Sequence, residues 1–406
     1  MTIRRNHRRL AVLGAFMVAM LLTLSAQNTS VTEAPAGYDG QTNGLVDQAT
    51  HDSDASTFSE VEGISKGLGP IYNAVSCADC HQTPMTGAAS QVSELRAGHF
   101  DSQGNFVGAP GGSLIHDRAI DPSIQPRVPS TENVRTFRMS ISTLGDGYIE
   151  AISDDTLKTL AAKQRQSTRG LIAGQFIEVP VLESPGTMAV GRFGWKDQHA
   201  SLLSFAADAY LNEMGITSRL MPDENTSMGR SVAAFDTVPD PEDTDNDIDA
   251  FARFSRATKA PVPDVQLAGA PDAQAGSVIF DKIGCGICHI RTLVTAPAGT
   301  ALQGGTYVVP PALGSKVIHP YSDYLLHNIG TGDGIVQNGG PSTTLKVRTA
   351  PLWGLRARDR LMHDGLSLTV GDAILRHRGE ATIVTGVYRA LSPRQRQQLE
   401  TFLNAQ

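Results

Sequence analysis

Apolar residues recur with the spacing of an α-helix in several parts of the chain. Ser153 stands before such a pattern over residues 156–166, and Ser392-Pro393 opens another at the C-terminus. Residues 199–214 are also apolar at helical spacing. These patterns predict three helices, the last of them at the end of the chain.

Short apolar runs separated by turn residues predict a smaller β component. Residues 172–195 contain such runs on both sides of Ser184-Pro185-Gly186, which is typical of a β-hairpin. Residues 27–60 are rich in Ser, Thr, Asp and Gly, so we expect an irregular lead-in there. The fold class that follows is mainly α, with Gly/Pro-rich loops and a minor β-hairpin insertion.

The first 26 residues have the pattern of a secretory signal peptide. Arg4, Arg5, Arg8 and Arg9 precede an apolar stretch over residues 10–24, and small residues follow it. The alternative is an uncleaved anchor, although the stretch is short for a bilayer span. We therefore expect an exported, periplasmic protein that begins near residue 27, or a membrane-anchored one where cleavage does not occur.

Composition limits the function classes. The chain has 406 residues, of which 40% are hydrophobic, and this is enough for two medium-sized domains with their own cores. The net charge is −7, and no long basic run follows the N-terminus. Both observations argue against nucleic acid as a partner.

All four cysteines lie in two Cys-x-x-Cys-His motifs, Cys77-Ala78-Asp79-Cys80-His81 and Cys285-Gly286-Ile287-Cys288-His289. In c-type haem attachment, two thiols at this spacing bond to the haem vinyl groups and the following His binds the iron. A zinc site would need the two pairs much closer together in sequence, and a thioredoxin-like pair does not need the His. The motifs predict two covalently bound haem c groups, attached through Cys77, Cys80, Cys285 and Cys288, with His81 and His289 as iron ligands.

Similar stretches precede the two motifs. Residues 67–73 and 273–280 both resemble the short N-terminal helix of a cytochrome c domain, which indicates a divergent repeat of one module. Pro261-Val262-Pro263 is typical of a connection between modules. We predict two cytochrome c-like haem domains. The first spans residues 61–258 and contains an insertion, and the second spans residues 259–406.

Further segments point to a known family. They are Gly67-Leu68-Gly69-Pro70, Gly112-Ser113-Leu114-Ile115-His116-Asp117-Arg118, Arg192-Phe193-Gly194-Trp195-Lys196, Asn212-Glu213-Met214-Gly215-Ile216, Pro320-Tyr321-Ser322-Asp323-Tyr324-Leu325-Leu326-His327, Arg348-Thr349-Ala350-Pro351-Leu352-Trp353-Gly354 and Met362-His363-Asp364-Gly365. Over roughly residues 60–406, the chain resembles the di-haem "thiol oxidoreductase-like" peroxidase family, which is related to the bacterial di-haem cytochrome c peroxidases.

The resemblance implies a distal ligand for the C-terminal haem. In those peroxidases, the sixth ligand follows the His of His-Asp-Gly by fourteen residues, and His377 stands at that position here. The peroxidases usually have Met there, so His377 would give a bis-imidazole haem of lower potential. The alternative is a surface His, with His319, His327 or Met362 as the ligand instead.

Three further site residues follow from the resemblance. Glu213 resembles the distal glutamate that handles peroxide protons, and the alternative is an ordinary Glu at a helix end. The paired glutamine of the peroxidases is Leu203 here, and the nearby His199 is a candidate substitute. Trp195 resembles the tryptophan that relays electrons between the haems, and the alternative is a core Trp.

The resemblance implies an exported di-haem oxidoreductase of the peroxidase type. A redox partner protein, a small cytochrome or cupredoxin, would exchange electrons with the protein, and a small oxidant or a protein substrate would react at the N-terminal haem. The alternative is a pure electron-transfer di-haem cytochrome c. The sixth position of the first iron discriminates between them, and the candidates to close it are His99, His116, His199 and Met214.

Overall fold

Polar side chains cap several long helices of the structure, a computed structural model that describes residues 30–406. The Ser153 side chain accepts a hydrogen bond from the Thr156 amide, and Ser392 forms a reciprocal capping box with Gln395. All three helices predicted from the pattern are present, over residues 154–167, 202–214 and 393–404, and the prediction is confirmed. The predicted signal peptide over residues 1–26 lies outside the described residues.

Ten α-helices occur within residues 30–406. They are α1 (Gln48–Phe58), α2 (Asp146–Glu150), α3 (Asp154–Ser167), α4 (Leu202–Met214), α5 (Asp247–Ala257), α6 (Val265–Ala268), α7 (Pro271–Ile283), α8 (Val370–Arg376), α9 (Thr382–Ala390) and α10 (Pro393–Asn404). Among these residues, no helix is long and apolar enough to cross a membrane.

The strands of the described part are short. They are β1 (Thr32–Glu33), β2 (Ile71–Tyr72), β3 (Ser93–Phe100), β4 (Phe106–Gly108), β5 (Leu114–Ile115), β6 (Arg118–Ala119), β7 (Val134–Met139), β8 (Glu178–Pro180), β9 (Met188–Val190), β10 (Leu293–Val294), β11 (Ala301–Leu302), β12 (Tyr307–Val308), β13 (Lys316–Ile318), β14 (Leu326–His327) and β15 (Val347–Arg348). The predicted hairpin is present as the antiparallel pair β8–β9.

A four-stranded antiparallel sheet was not expected from the sequence. Strand β3 pairs with β4, β5 and β7, and its register with β7 runs from Ser93 opposite Met139 to Gly98 opposite Val134. The structure is about 33% helical and 16% strand. The fold is thus mixed α/β, and the prediction of a mainly α chain underestimated the strands. The hairpin β8–β9 is only one of several small sheets.

Two predictions about the N-terminal part need correction. The irregular lead-in expected over residues 27–60 contains α1, which packs against α5, and β1, which pairs in parallel with β13. Residues 67–73 do not form a helix, because a 3-10 turn ends at Lys66 and β2 follows. The helix that precedes the first motif is α1, which lies farther from the motif in sequence than the helix predicted over residues 67–73. The predicted domain boundaries stay predictions.

Helices α7 and α10 pack closely because one of them carries a glycine at the contact. A Cβ atom on Gly276 of α7 would lie 1.9 Å from the carbonyl oxygen of Gln398 on α10. Phe280 and Phe402 then meet edge to face, with their ring centroids 5.5 Å apart. The close approach of the two backbones places the start of the second haem motif, directly after α7, against the terminal helix.

Replacing Gly276 by Ala is expected to lower the free energy of unfolding by about 1–3 kcal/mol or more, since the added methyl group has no room beside Gln398. Chemical denaturation of the haem-loaded protein measures the change. Gly386→Ala is the matched control. A Cβ on Gly386, within α9, meets nothing within 4 Å, so the free energy of unfolding of that variant should rise by about 0.5–1 kcal/mol. Equal stability of the two variants would contradict the close packing.

Candidate haem sites

The second Cys-x-x-Cys-His motif forms a tight turn at the end of α7. Gly284 ends the helix with a positive φ of 98°, and residues Cys285–Ile287 form a 3-10 turn. The His289 amide donates to the carbonyl of Cys285 at 3.0 Å, which places the two thiols and the imidazole on one turn. The Nδ1–H of His289 donates to the Tyr321 carbonyl at 2.9 Å, so the lone pair of Nε2 is available for a metal.

A largely apolar cavity adjoins this motif, and we call it the C-terminal cavity. Cys285, Cys288, His289 and His377 all line it. Its other lining residues include Phe280, Ile329, Val347, Leu352, Leu355, Leu361, Met362, Val370, Ile374, Val384 and Leu403. Burial, helped by the nearby His377, lowers the pKa of His289 to about 4, so this imidazole is neutral, as ligation requires.

His377 stands at the C-terminal cap of α8. Its Nδ1–H donates to the Ala373 carbonyl at 2.7 Å, which leaves its Nε2 lone pair available as well. The structure therefore brings His377 and His289 to one cavity, and ligation by His377 stays a prediction. Met362 lines the same cavity.

The two alternative histidines have other partners. Asp323 and Glu380, each 3.0 Å away, hold buried His327 between them. His319 has a side chain that is 51% exposed and pairs with Glu33 at 3.1 Å. Their hydrogen bonds make both poorer candidates than His377 or Met362 for the sixth ligand.

The first motif has the same local geometry. Residues Cys77–Asp79 form a 3-10 turn, which Ser76 caps by accepting from the Asp79 amide. The His81 amide donates to the Cys77 carbonyl at 3.0 Å, and the His81 Nδ1–H donates to the Ala88 carbonyl at 3.1 Å. The Nε2 lone pair of His81 is thus available in the same way as that of His289.

The cavity beside His81 is more polar, and we call it the N-terminal cavity. Besides His81, its lining includes Glu94, Arg96, Arg138, Met139, Asp146, Trp195, Gln198, Phe205, Asp208, Asn212, Glu213 and Arg348. Glu213, in the last turn of α4, is therefore on the same cavity as His81, and the Asn73 amide group donates to its Oε2 at 2.8 Å.

The residues proposed to close the first iron lie elsewhere. His199 forms an ion pair with Asp208 at 3.2 Å and stacks on Phe205, so it reaches the cavity only through these neighbours. Of the described cavity-lining residues, none is His99, His116, His199 or Met214. His99 pairs with Glu132 at 2.8 Å. His199 is not among the described lining residues, and its role as a substitute for the glutamine stays a prediction.

Sequence reasoning missed Glu94 and Arg96. Both lie on β3, whose residues alternate between charged and apolar side chains from Glu94 to Ala97. This alternation is the usual sign of a half-buried strand. Here the charged side faces the N-terminal cavity rather than solvent, which the alternation alone does not reveal.

Trp195 lies between the two cavities. It lines both of them, together with Arg348 and Pro351. Its Nε1–H donates to the Met139 carbonyl at 2.6 Å, and its ring lies edge to face with that of His363, with centroids 6.0 Å apart. Trp195 therefore shares one cavity with His81 and the other with Cys285, Cys288 and His289, and its relay role stays a prediction.

The donor groups of each motif fit a haem. Cys285 and Cys288 line the C-terminal cavity, whereas of the first motif only His81 is among the described residues that line the N-terminal cavity. Each motif offers two thiols, one available imidazole nitrogen and an adjoining cavity, and the four cysteines form no disulfide. This is the donor set that a c-type haem uses.

Comparisons of the whole chain with curated proteins and solved structures give only weak likenesses. No curated protein matches the chain. A solved structure of hydrazine synthase from Kuenenia stuttgartiensis, pressurised with xenon, matches at 13% identity and a TM-score of 0.40, covering 98% of this chain and 100% of that one. A MauG-like protein associated with microbial copper homeostasis matches at 14% identity and a TM-score of 0.42, covering 94% of each chain. At these TM-scores, neither likeness carries an argument.

A family model gives a stronger result. The model described as "Di-haem oxidoreductase, putative peroxidase" matches residues 119–406, which is well over half of the chain and includes the second haem motif. The chain therefore belongs to the di-haem oxidoreductase family.

Proposed function

We propose that the protein is an exported, peroxidase-like di-haem c oxidoreductase that reduces a small oxidant at the N-terminal haem. Electrons would enter at the C-terminal haem from a small cytochrome or cupredoxin. The observation that carries this proposal is the difference between the two cavities, since the C-terminal cavity offers further imidazoles besides His289, among them His377, and the N-terminal cavity offers carboxylates.

The C-terminal cavity suits an electron-transfer haem. Cys285 and Cys288 would hold the haem covalently, with His289 and His377 as its two axial ligands. Two imidazoles give a low-spin iron that needs no room for substrate, and the apolar lining excludes water. The positive charges of Arg348 and Arg358 at this cavity would offset the negative charge of haem propionates.

The N-terminal cavity suits a haem that meets a substrate. A haem held by Cys77, Cys80 and His81 supplies an iron that binds and reduces a peroxide. The one methionine among the cavity's described lining residues, Met139, packs its sulfur against Gly365. Glu213 would accept and return the proton of a peroxide.

Trp195 would carry electrons from one haem to the other, because it lines both cavities.

The helix pairs α1–α5 and α7–α10 support our further proposal of two cytochrome c-like modules, one around each motif. For location, the support is the sequence pattern at the N-terminus together with haem attachment, which takes place after export.

The spin state of the oxidised protein tests this proposal. Electron paramagnetic resonance should show one low-spin and one high-spin ferric haem, and one cyanide should bind per chain. Peroxide should be consumed when a reduced cytochrome is supplied. If both haems are low-spin and neither binds cyanide, the pure electron-transfer cytochrome is correct instead.

Trp195→Phe tests the route between the haems. We expect steady-state peroxide turnover to fall by about tenfold or more, which corresponds to about 1.4 kcal/mol of barrier, while haem content and spin states stay unchanged. Trp353→Phe is the matched control, since Trp353 is as buried as Trp195 but does not line either haem cavity. Equal turnover in the two variants would remove Trp195 from the route.

A further inference from the structure

Two carboxyl groups from different elements meet in the N-terminal cavity. Glu94 comes from β3 and Glu213 from α4, and the two groups lie within hydrogen-bonding reach of each other. The Nε–H of Arg96 donates to Glu94 Oε1 at 2.7 Å, and the Asn73 amide donates to Glu213 Oε2 at 2.8 Å. Two carboxylates this close repel each other when both are ionised, so the pair favours sharing one proton.

The surroundings decide which member holds that proton. Burial would raise the pKa of Glu94, but the Arg96 guanidinium and the hydrogen bond to Glu213 together hold this pKa below its usual value. Burial and then the charge of Glu94 raise the pKa of Glu213 well above its usual value. Glu94 is therefore the ionised member at rest, and Glu213 is the neutral one.

Other charges face the pair without replacing its partners. Arg138, on the neighbouring strand β7, lines the same cavity and is held by Asp333 at 2.7 Å. Asp208, one turn before Asn212 on α4, is held by His199. Arg96 is thus the cation in direct contact with the pair.

We propose that Glu94 and Glu213 act as one proton-exchanging pair for a protic substrate of the hydroperoxide class, with Arg96 holding Glu94 in place. Glu94 acts through Glu213 and is a positioning residue. This inference rests on the proposed function and deepens it by adding residues of the β3 strand to the site.

The proton and electron balance is as follows. The hydroperoxide gives its proton to Glu213, and Glu213 passes its own proton to the ionised Glu94. The pair returns a proton to the leaving oxygen as the O–O bond breaks. Two electrons from the donor protein and two protons from solvent complete the reduction of ROOH to ROH and H₂O, and the pair ends with one proton, as it began.

Cyanide binding to the oxidised, haem-loaded protein tests the pair, because HCN must lose its proton as it binds. Glu94→Gln should slow cyanide association by about tenfold or more while Kd changes by less than about threefold, since a proton acceptor speeds both directions. Glu94→Asp should restore most of the rate. Glu132→Gln is the control, because Glu132 is buried and paired with a His but does not line the cavity.

The outcomes are distinguishable. If wild-type protein binds no cyanide at either haem, the proposed function fails. If wild type binds cyanide and Glu94→Gln binds it at the wild-type rate, or if Glu94→Asp is as slow as Glu94→Gln, only the pair is wrong. If Glu94→Gln loses haem or unfolds, Arg96→Gln is measured instead. It should also slow association by about tenfold or more, and an unchanged rate would overturn the inference.

Discussion

Changing Cys285 and Cys288 together to Ser is expected to remove the C-terminal haem. The haem that survives acid–acetone extraction should fall from two per chain to one, because serine hydroxyls do not bond to haem vinyl groups. Both thiols line the C-terminal cavity, and His289 alone would hold the haem by one coordinate bond. Pyridine haemochrome spectra and intact mass measure the loss.

The reciprocal variant provides the control. Changing Cys77 and Cys80 to Ser should remove the other haem and leave the C-terminal one attached. Cys285 packs against the core around α7 and α10, so its double variant should also unfold at a lower temperature. If the variant retains two haems that survive extraction, or if zinc is found in place of haem, the assignment of these motifs is contradicted.

Replacing His377 by Ala is expected to open the C-terminal iron. The ferric haem should change from low-spin to high-spin, because one of two axial imidazoles is lost while His289 keeps its hydrogen bond to Tyr321. Added imidazole should restore the low-spin spectrum, since removal of the His377 side chain leaves space for it in the cavity. His377→Met should keep a low-spin haem and raise its reduction potential, because a thioether favours ferrous iron.

His319→Ala is the control for this variant, since His319 is half-exposed and lies outside the cavity lining. Its spectrum should match that of the wild type. A low-spin spectrum that persists in His377→Ala would overturn the assignment. Met362, which lines the same cavity, would then be the next residue to change.

Local signals in the sequence were reliable where a few neighbouring residues decide the structure. The caps at Ser153 and Ser392 predicted the starts of α3 and α10, because a cap satisfies amides within the same turn. The hairpin around Ser184-Pro185-Gly186 follows from turn chemistry in the same way. Residues 67–73 were read wrongly, since Gly and Pro there lead into β2 and not into a helix.

The main sheet was missed because its pairings join distant residues. Strand β3 pairs with β7, and neither strand is apolar throughout. A strand with charged residues on alternate positions normally faces solvent, but here Glu94 and Arg96 face a cavity. The proposed pairing of Glu94 with Glu213 therefore does not follow from the sequence, although the family resemblance points to Glu213 itself.

The sequence by itself determined the two Cys-x-x-Cys-His turns, because both thiols and the imidazole of each motif lie within five consecutive residues, and one tight turn brings them together. Only the tertiary structure decided what shares a cavity with each imidazole. The packing of α8 brings His377 to the cavity that His289 lines, and the register of β3 brings Glu94 to the cavity that Glu213 lines. Trp195 lies between the two cavities and lines both of them. These neighbours come from residues far apart in the chain, so their meeting depends on packing and strand register, which local pattern does not specify.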